Sequence, residues 1–130
     1  MTAAESPTSV SIAAGPLVGP VLRRVVGMFA ARADLPLDRL DDAVLVADLV
    51  ASRAPAHVAA DTVDVTLASS TRSLLLRVGP LRAGGGRDLV TQAAVPGVGN
   101  VIEQLADGLD VETDGDHEFL LLRLTYAGSD

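Results

Sequence analysis

The sequence predicts an α+β fold: a two-layer α/β sandwich in which helices cover one face of a mixed, mostly antiparallel sheet. Segments with apolar residues at helical spacing stand between segments in which apolar and polar residues alternate, in the order β-α-α-β-β-α-β-β. Hydrophobic residues make up 48% of the 130 residues, enough for one core. We expect a disordered tail over 1–9 and a single domain over 10–127. The second face of the sheet would then be open to solvent or to a partner.

The composition narrows the class of protein. Only 2% of the residues are aromatic, so the core has to be built from Val, Leu, Ile and Ala. The chain has no cysteine, which excludes disulfides, thiolate metal sites and a catalytic cysteine. Its formal net charge of -7 opposes binding to nucleic acid and to anionic membranes. The first residues have neither the basic nor the apolar stretch of a targeting signal, so we expect a cytoplasmic protein.

The first half of the domain is expected to hold a strand followed by two helices. A short alternation over 10–14 predicts the strand, and an amphipathic pattern predicts a helix over about 16–33. A second helix follows Pro36, because aspartates crowd its first turns, where the helix dipole favours negative charge. Pro55 ends this helix, since proline cannot continue the hydrogen-bond ladder.

The second half is expected to hold two hairpins joined by a helix. Alternating apolar residues over 62–78 predict the first hairpin, and the glycine-rich segment 79–87 is expected to be a mobile loop. A turn at 96–99 leads into a short helix. The last hairpin turns at Asp114-Gly115. One face of its long final strand carries Leu120, Leu122, Leu124 and Tyr126.

Two segments carry candidate site residues. Asp48 and Ser52 are four residues apart on the second helix, so they share a face on which the carboxylate could act as a base. Gly97 and Gly99 precede a helix, where backbone N–H groups can approach a phosphate. Each pattern also has a plain structural interpretation, as a solvent-facing helix side or a simple turn. Neither histidine has ligand spacing around it, and both are expected in exposed loops.

The order of these elements resembles the Bergerat-fold, histidine-kinase-like ATPase domain of bacterial anti-sigma-factor serine kinases, over nearly the whole chain. The family's Glu-Leu-Val-x-Asn-Ala box on its second helix corresponds to 48–53, Asp-Leu-Val-Ala-Ser-Arg here. Its Asp-x-Gly-x-Gly box at a strand end corresponds to 79–83, Gly-Pro-Leu-Arg-Ala here. Its Gly-x-Gly-Leu box corresponds to 97–100, Gly-Val-Gly-Asn here. In the family a helix that ends in Leu-Ala-Asp follows this box, and the same three residues stand at 105–107 here. This is the best match of the three boxes.

The resemblance implies a site for ATP and Mg²⁺. It assigns the following residues to that site: Asp48, Ser52, Gly79, Gly97, Gly99 and Asn100. Asp48 would be the catalytic base, and Ser52 would stand near the metal in place of the family's Asn, as a poorer ligand. Gly79 replaces the family's adenine-reading Asp and has no acceptor. These losses predict ATP binding weakened on the order of 10²-fold or more. The glycines at 84–86 could correspond to the family's mobile nucleotide lid, or to a spacer left after the site decayed.

Three functions follow from these observations. The motif losses favour a regulatory protein similar to an anti-sigma factor, which binds a sigma factor or a small antagonist domain, and which the resemblance allows to form a homodimer. The second function is an active ATP-dependent protein serine kinase that acts on an anti-sigma-factor antagonist. The third is a non-catalytic structural module. The sequence predicts weak or no phosphoryl transfer and leaves the three open.

Overall fold

The computed structural model describes residues 7–32, 35–70 and 72–125. The strands are β1 (Thr8–Ala13), β2 (Thr62–Ser70), β3 (Ser73–Leu81), β4 (Ala94–Val95), β5 (Gly99–Asn100), β6 (Gly108–Asp114) and β7 (His117–Thr125). The helices are α1 (Val18–Arg32), α2 (Leu37–Arg53), α3 (Gly85–Gln92) and α4 (Val101–Leu105), with one turn of 3-10 helix at Ala54–Ala56. The α+β class predicted from the sequence is confirmed.

One sheet organises the molecule. Its strand order is β1-β2-β3-β7-β6, and β4 and β5 form a separate two-stranded hairpin. Every pairing among the described residues is antiparallel, so the parallel component of the expected mixed sheet is not found there. The pairs β2–β3 and β6–β7 are antiparallel because each joins consecutive strands by a tight turn.

The helices cover one face of this sheet, as predicted. The buried face carries side chains that are each 3% exposed or less: Val63, Val65, Leu67, Leu74, Leu76, Val78, Leu120, Leu122 and Leu124. They pack against α1 and α2 in one hydrophobic cluster. The strands alternate, so their other side chains form an open face, with Leu75 at its centre still 42% exposed. Tyr126, expected on the buried face, lies outside the described residues.

The strand β1 starts two residues earlier than the tail predicted over 1–9 would allow. Thr8 pairs with Leu67 and Ser9 pairs with Thr66. The hydroxyls of Ser9 and Thr66 are 3.0 Å apart. Ser9 and Ser11 lie on the open face of this edge strand, and Thr8 is exposed at its start, which explains why the sequence resembles a polar tail.

The prediction of a mobile loop over 79–87 is wrong. The strand β3 continues to Leu81, and α3 begins at Gly85, so only three residues connect the two elements. Gly85 and Gly86 are buried, because the start of α3 packs closely against its neighbours. A Cβ at Gly85 would lie 3.2 Å from the carbonyl oxygen of His57. The glycines serve close packing rather than motion.

None of the described helices has the length and apolar composition needed to cross a membrane.

Candidate functional site

Asp48 and Ser52 lie in a cleft between the start of α1 and the end of α2. The cleft has a volume of about 400 Å³ and is lined also by Gly15, Gly19 and Arg23. The carboxylate of Asp48 accepts a hydrogen bond from Nε of Arg23 at 2.9 Å. The hydroxyl of Ser52 donates to the backbone carbonyl of Leu49, also at 2.9 Å. Both predicted groups are therefore engaged within the protein, the Asp48 carboxylate in an ion pair at the surface and the Ser52 hydroxyl on its own helix.

Gly79 lies near the end of β3 with no space for a side chain. A Cβ at this position would be 2.5 Å from the ring of Phe119 and 2.9 Å from the carbonyl oxygen of Glu118. Its pairing partner is Asp64 on β2, whose side chain belongs to the open face of the sheet. A side chain at position 79 would therefore point to this open face, away from the helices.

Gly97 lies in the turn between β4 and β5, and Gly99 is the first residue of β5. Both have positive φ, +82° and +97°, which explains why glycine stands at these two positions. The next residue, Asn100, caps α4: its Oδ1 accepts from the backbone N–H of Glu103 at 3.1 Å. Its Nδ2 donates to the carbonyl of Val90 at 2.7 Å. The amide of Asn100 thus holds α4 and α3 together.

The structure does not bring all six predicted residues into one cleft. The cleft of Asp48 and Ser52 contains none of the glycines at 79, 97 and 99, nor Asn100. Gly97 and Gly99 are exposed, whereas Gly79 is buried under Phe119. The residues present here do not fit Mg-ATP in the arrangement that the resemblance implies.

His57, expected in an exposed loop, is 2% exposed. Its Nδ1 lies 3.1 Å from Nη2 of Arg82, and its Nε2 lies 2.9 Å from Oε1 of Gln92. Because a guanidinium can only donate, Nδ1 is the acceptor and Nε2 carries the proton toward Gln92. The ring therefore joins the end of α2 to α3, a role that its sequence neighbourhood does not indicate. His117 is exposed, as expected.

Glu118 has a structural role that the sequence analysis missed. Its carboxylate accepts hydrogen bonds from the backbone N–H groups of Gly84 at 2.9 Å and Gly86 at 3.1 Å. These are free donors at the start of α3, and an anion there is favoured by the helix dipole. The signal available in the sequence was a lone glutamate at the start of a predicted strand, which does not point to a helix far away in the chain.

The open face of the sheet holds an arginine between an acid and an aromatic ring. The guanidinium of Arg77 donates to Glu112 through Nε at 2.9 Å and through Nη2 at 2.8 Å. Its Cζ lies 3.6 Å from the centroid of the Phe119 ring, within the range of a cation–π interaction. Arginine and aromatic side chains are enriched where proteins bind other proteins.

No protein-family model matches the chain, and no curated protein matches it significantly. Within the part of the chain that the structure describes, no group of three or more His, Asp or Glu side chains is placed to hold a metal ion.

Proposed function

We propose that this chain is a regulatory protein, similar to an anti-sigma factor, that acts by binding a protein partner and does not transfer phosphate. The partner class would be a sigma factor or a small antagonist domain. The observation that carries the proposal is the internal engagement of the groups that a nucleotide would need. Asp48 pairs with Arg23, and the amide of Asn100 bonds α3 and α4. The ring of Phe119 fills the space next to Gly79.

Exposed apolar side chains support a binding role. Just before α1, Leu17 is 63% exposed, and on α1 Met28 is 60% exposed, although the opposite side of the helix is buried in the core. On α2, Leu37 is 74% exposed and Leu45 is 44% exposed. These side chains would contribute favourable burial to an interface that covered them.

The experiment is a titration of the purified protein with ATP and Mg²⁺, followed by calorimetry and by the melting temperature. We expect no heat of binding and no rise in melting temperature at millimolar ATP, because binding would require breaking the internal contacts of the site. The double variant Asp48→Asn/Ser52→Ala should give the same result as the natural chain.

Micromolar binding that is lost in the double variant would contradict the proposal and favour the serine kinase. Micromolar binding that the double variant retains would also contradict it, and would show that ATP uses other residues. Sedimentation velocity on the same samples distinguishes a monomer from a homodimer.

A further inference from the structure

The strand β6 is one edge of the sheet, and its outer side is unpaired among the described residues. The backbone N–H of Val111 donates to Oδ1 of its neighbour Asp110 at 2.9 Å. Asp114 pairs with His117 across a two-residue turn, so this pair is directly hydrogen-bonded, and Val111, three residues earlier, faces away from β7. In an antiparallel pair the residues alternate between those that bond the neighbouring strand and those that face away from it. Leu109, Val111 and Thr113 therefore turn their N–H and C=O groups to the free edge.

Two clefts flank this edge, one on each face of the sheet. The open-face cleft, of about 320 Å³, is lined by Leu75, Gly108, Asp110, Leu121 and Arg123, among others. It exists because Gly108 places no side chain beside its partner Arg123.

The second cleft, the helix-face cleft, lies between β6 and α3. It has a volume of about 330 Å³ and a mixed lining, in which charged residues such as Arg87 and Glu103 stand beside the apolar residues Val90, Leu109, Val111 and Leu120. Gly86 opens it on the side of α3, since a Cβ there would lie 3.0 Å from Cγ2 of Val111. Val111 itself is 38% exposed.

We propose that the β6 edge binds an extended segment of a partner protein by strand addition. Successive side chains of a strand point to opposite faces, so an added strand would direct its residues alternately toward the open-face cleft and the helix-face cleft. The main-chain groups of Leu109, Val111 and Thr113 would supply the hydrogen bonds, and the two clefts would select the side chains. This inference concerns a different surface from the nucleotide region and does not depend on ATP.

Charge identifies the chemistry of the partner segment. The open face of β6 carries Asp110, Glu112 and Asp114, and β6 has no basic residue, although Arg123 lines the open-face cleft and Arg87 the helix-face cleft. Glu112 already pairs with Arg77, whereas the carboxylate of Asp110 only covers the N–H of Val111. A lysine or arginine of the partner can draw the Asp110 carboxylate away and free that donor. A second copy of β6 would bring acids against acids, so we infer a basic partner and not self-pairing.

The test uses the full chain and a labelled peptide, acetyl-Lys-Val-Lys-Val-Lys-Val-Lys-amide, followed by fluorescence anisotropy and by amide NMR shifts. The matched variants are Val111→Pro, which removes the outward N–H without removing a bond to β7, and Val111→Thr, which keeps it. We expect Val111→Pro to weaken binding by at least about tenfold and Val111→Thr to bind like the natural chain. The largest NMR shifts should fall on Leu109, Val111 and Thr113.

Two further peptides separate strand addition from attraction by charge alone. The same peptide N-methylated at every residue keeps its charge but loses all its main-chain donors, and we expect it not to bind. The peptide with Glu in place of Lys should not bind either. Equal binding of the methylated peptide, equal binding to Val111→Pro, or no binding of the lysine peptide would each overturn the proposal. If Val111→Pro fails to fold, the methylated peptide still tests whether binding needs the main-chain hydrogen bonds. None of these outcomes changes the result expected from the ATP titration.

Discussion

The residue Gly79 illustrates how one backbone position depends on a neighbour distant in the chain. The pairing of β3 with β7 shifts between Val78 and Leu81, and this irregularity lies beside the ring of Phe119. The resemblance to the ATPase family treats Gly79 as a lost adenine contact. The structure gives the glycine a reason of its own, because the ring and the carbonyl of Glu118 leave no room for a Cβ.

Replacing this glycine should therefore be costly. We expect Gly79→Ala to lower the free energy of unfolding by about 1–3 kcal/mol, because overpacking forces the ring or the strand to move. Urea denaturation measures the change. The double variant Gly79→Ala/Phe119→Ala should be more stable than the sum of the single variants predicts, since the ring is what the new methyl group meets.

A matched control exists on α1. A Cβ at Gly27 would meet no atom within 4 Å, and Gly27 lies inside the helix. There, Gly27→Ala should raise the free energy of unfolding by about 0.5–1 kcal/mol, because alanine favours the helix. Equal effects of the two substitutions would show that Phe119 does not constrain Gly79.

Among the elements, α3 depends most visibly on a residue outside itself. It has eight residues, and its N-cap is Gly84, which offers no side chain to cap the helix. Isolated helices of this length are not stable, so tertiary contacts have to hold it. Glu118 on β7 supplies the missing cap through two backbone N–H groups, and His57 holds the other end through Gln92.

The substitution Glu118→Gln tests this dependence. A glutamine keeps one accepting oxygen and loses the negative charge, so we expect the start of α3 to be destabilised by about 0.5–2 kcal/mol. Amide hydrogen exchange at Leu89 and Val90 should become faster while exchange in β2 stays unchanged. Glu103→Gln, on exposed Glu103 of α4, is the control. Unchanged exchange in α3 would mean that the carboxylate does not hold the helix.

At the scale of the whole molecule, one arginine joins the start of α2 to the end of β7 and to the segment between α4 and β6. Arg39 at the start of α2 donates to the carbonyl of Thr125 at the end of β7, at 3.1 Å. It also donates to Asp42 at 2.8 Å and to the carboxylate of Asp107. Asp107 in turn accepts from the backbone N–H of Thr125 at 2.6 Å. The side chain of Arg39 is only 20% exposed, so these contacts are partly shielded from water.

We expect Arg39→Met to lower the free energy of unfolding by about 1–3 kcal/mol. Methionine retains the packing of the stem but removes the hydrogen bonds that Arg39 donates to the Asp107 carboxylate and to the carbonyl of Thr125. Urea denaturation monitored by circular dichroism measures the effect. The control Arg24→Met changes an exposed arginine of α1 and should stay within about 0.5 kcal/mol of the natural chain. A loss no larger than that of the control would show that the Arg39 contacts add no stability.

Local patterning by itself determined the class of fold and most of the elements. Helical spacing of apolar residues located α1 and α2, and alternation located β2, β3 and the last hairpin, because these periods reflect which side of each element is buried. The pattern also indicated that the sheet has a second, open face. It placed Asp48 and Ser52 on one helix face, which is where they lie.

The tertiary structure determined the features that depend on contacts between segments distant in the sequence. His57 is buried beside Arg82, and Gly79 is crowded by Phe119. The start of α3 packs against Val111. Each of these neighbours is far away in the sequence. A glycine in a sequence indicates a flexible backbone, because its conformational freedom is a property of that residue alone. In the folded protein a close neighbour can make the same glycine necessary for packing. The free edge of β6 and its two clefts likewise exist only once the strand order is set, because a sequence pattern shows that a strand forms but not which strand remains unpaired.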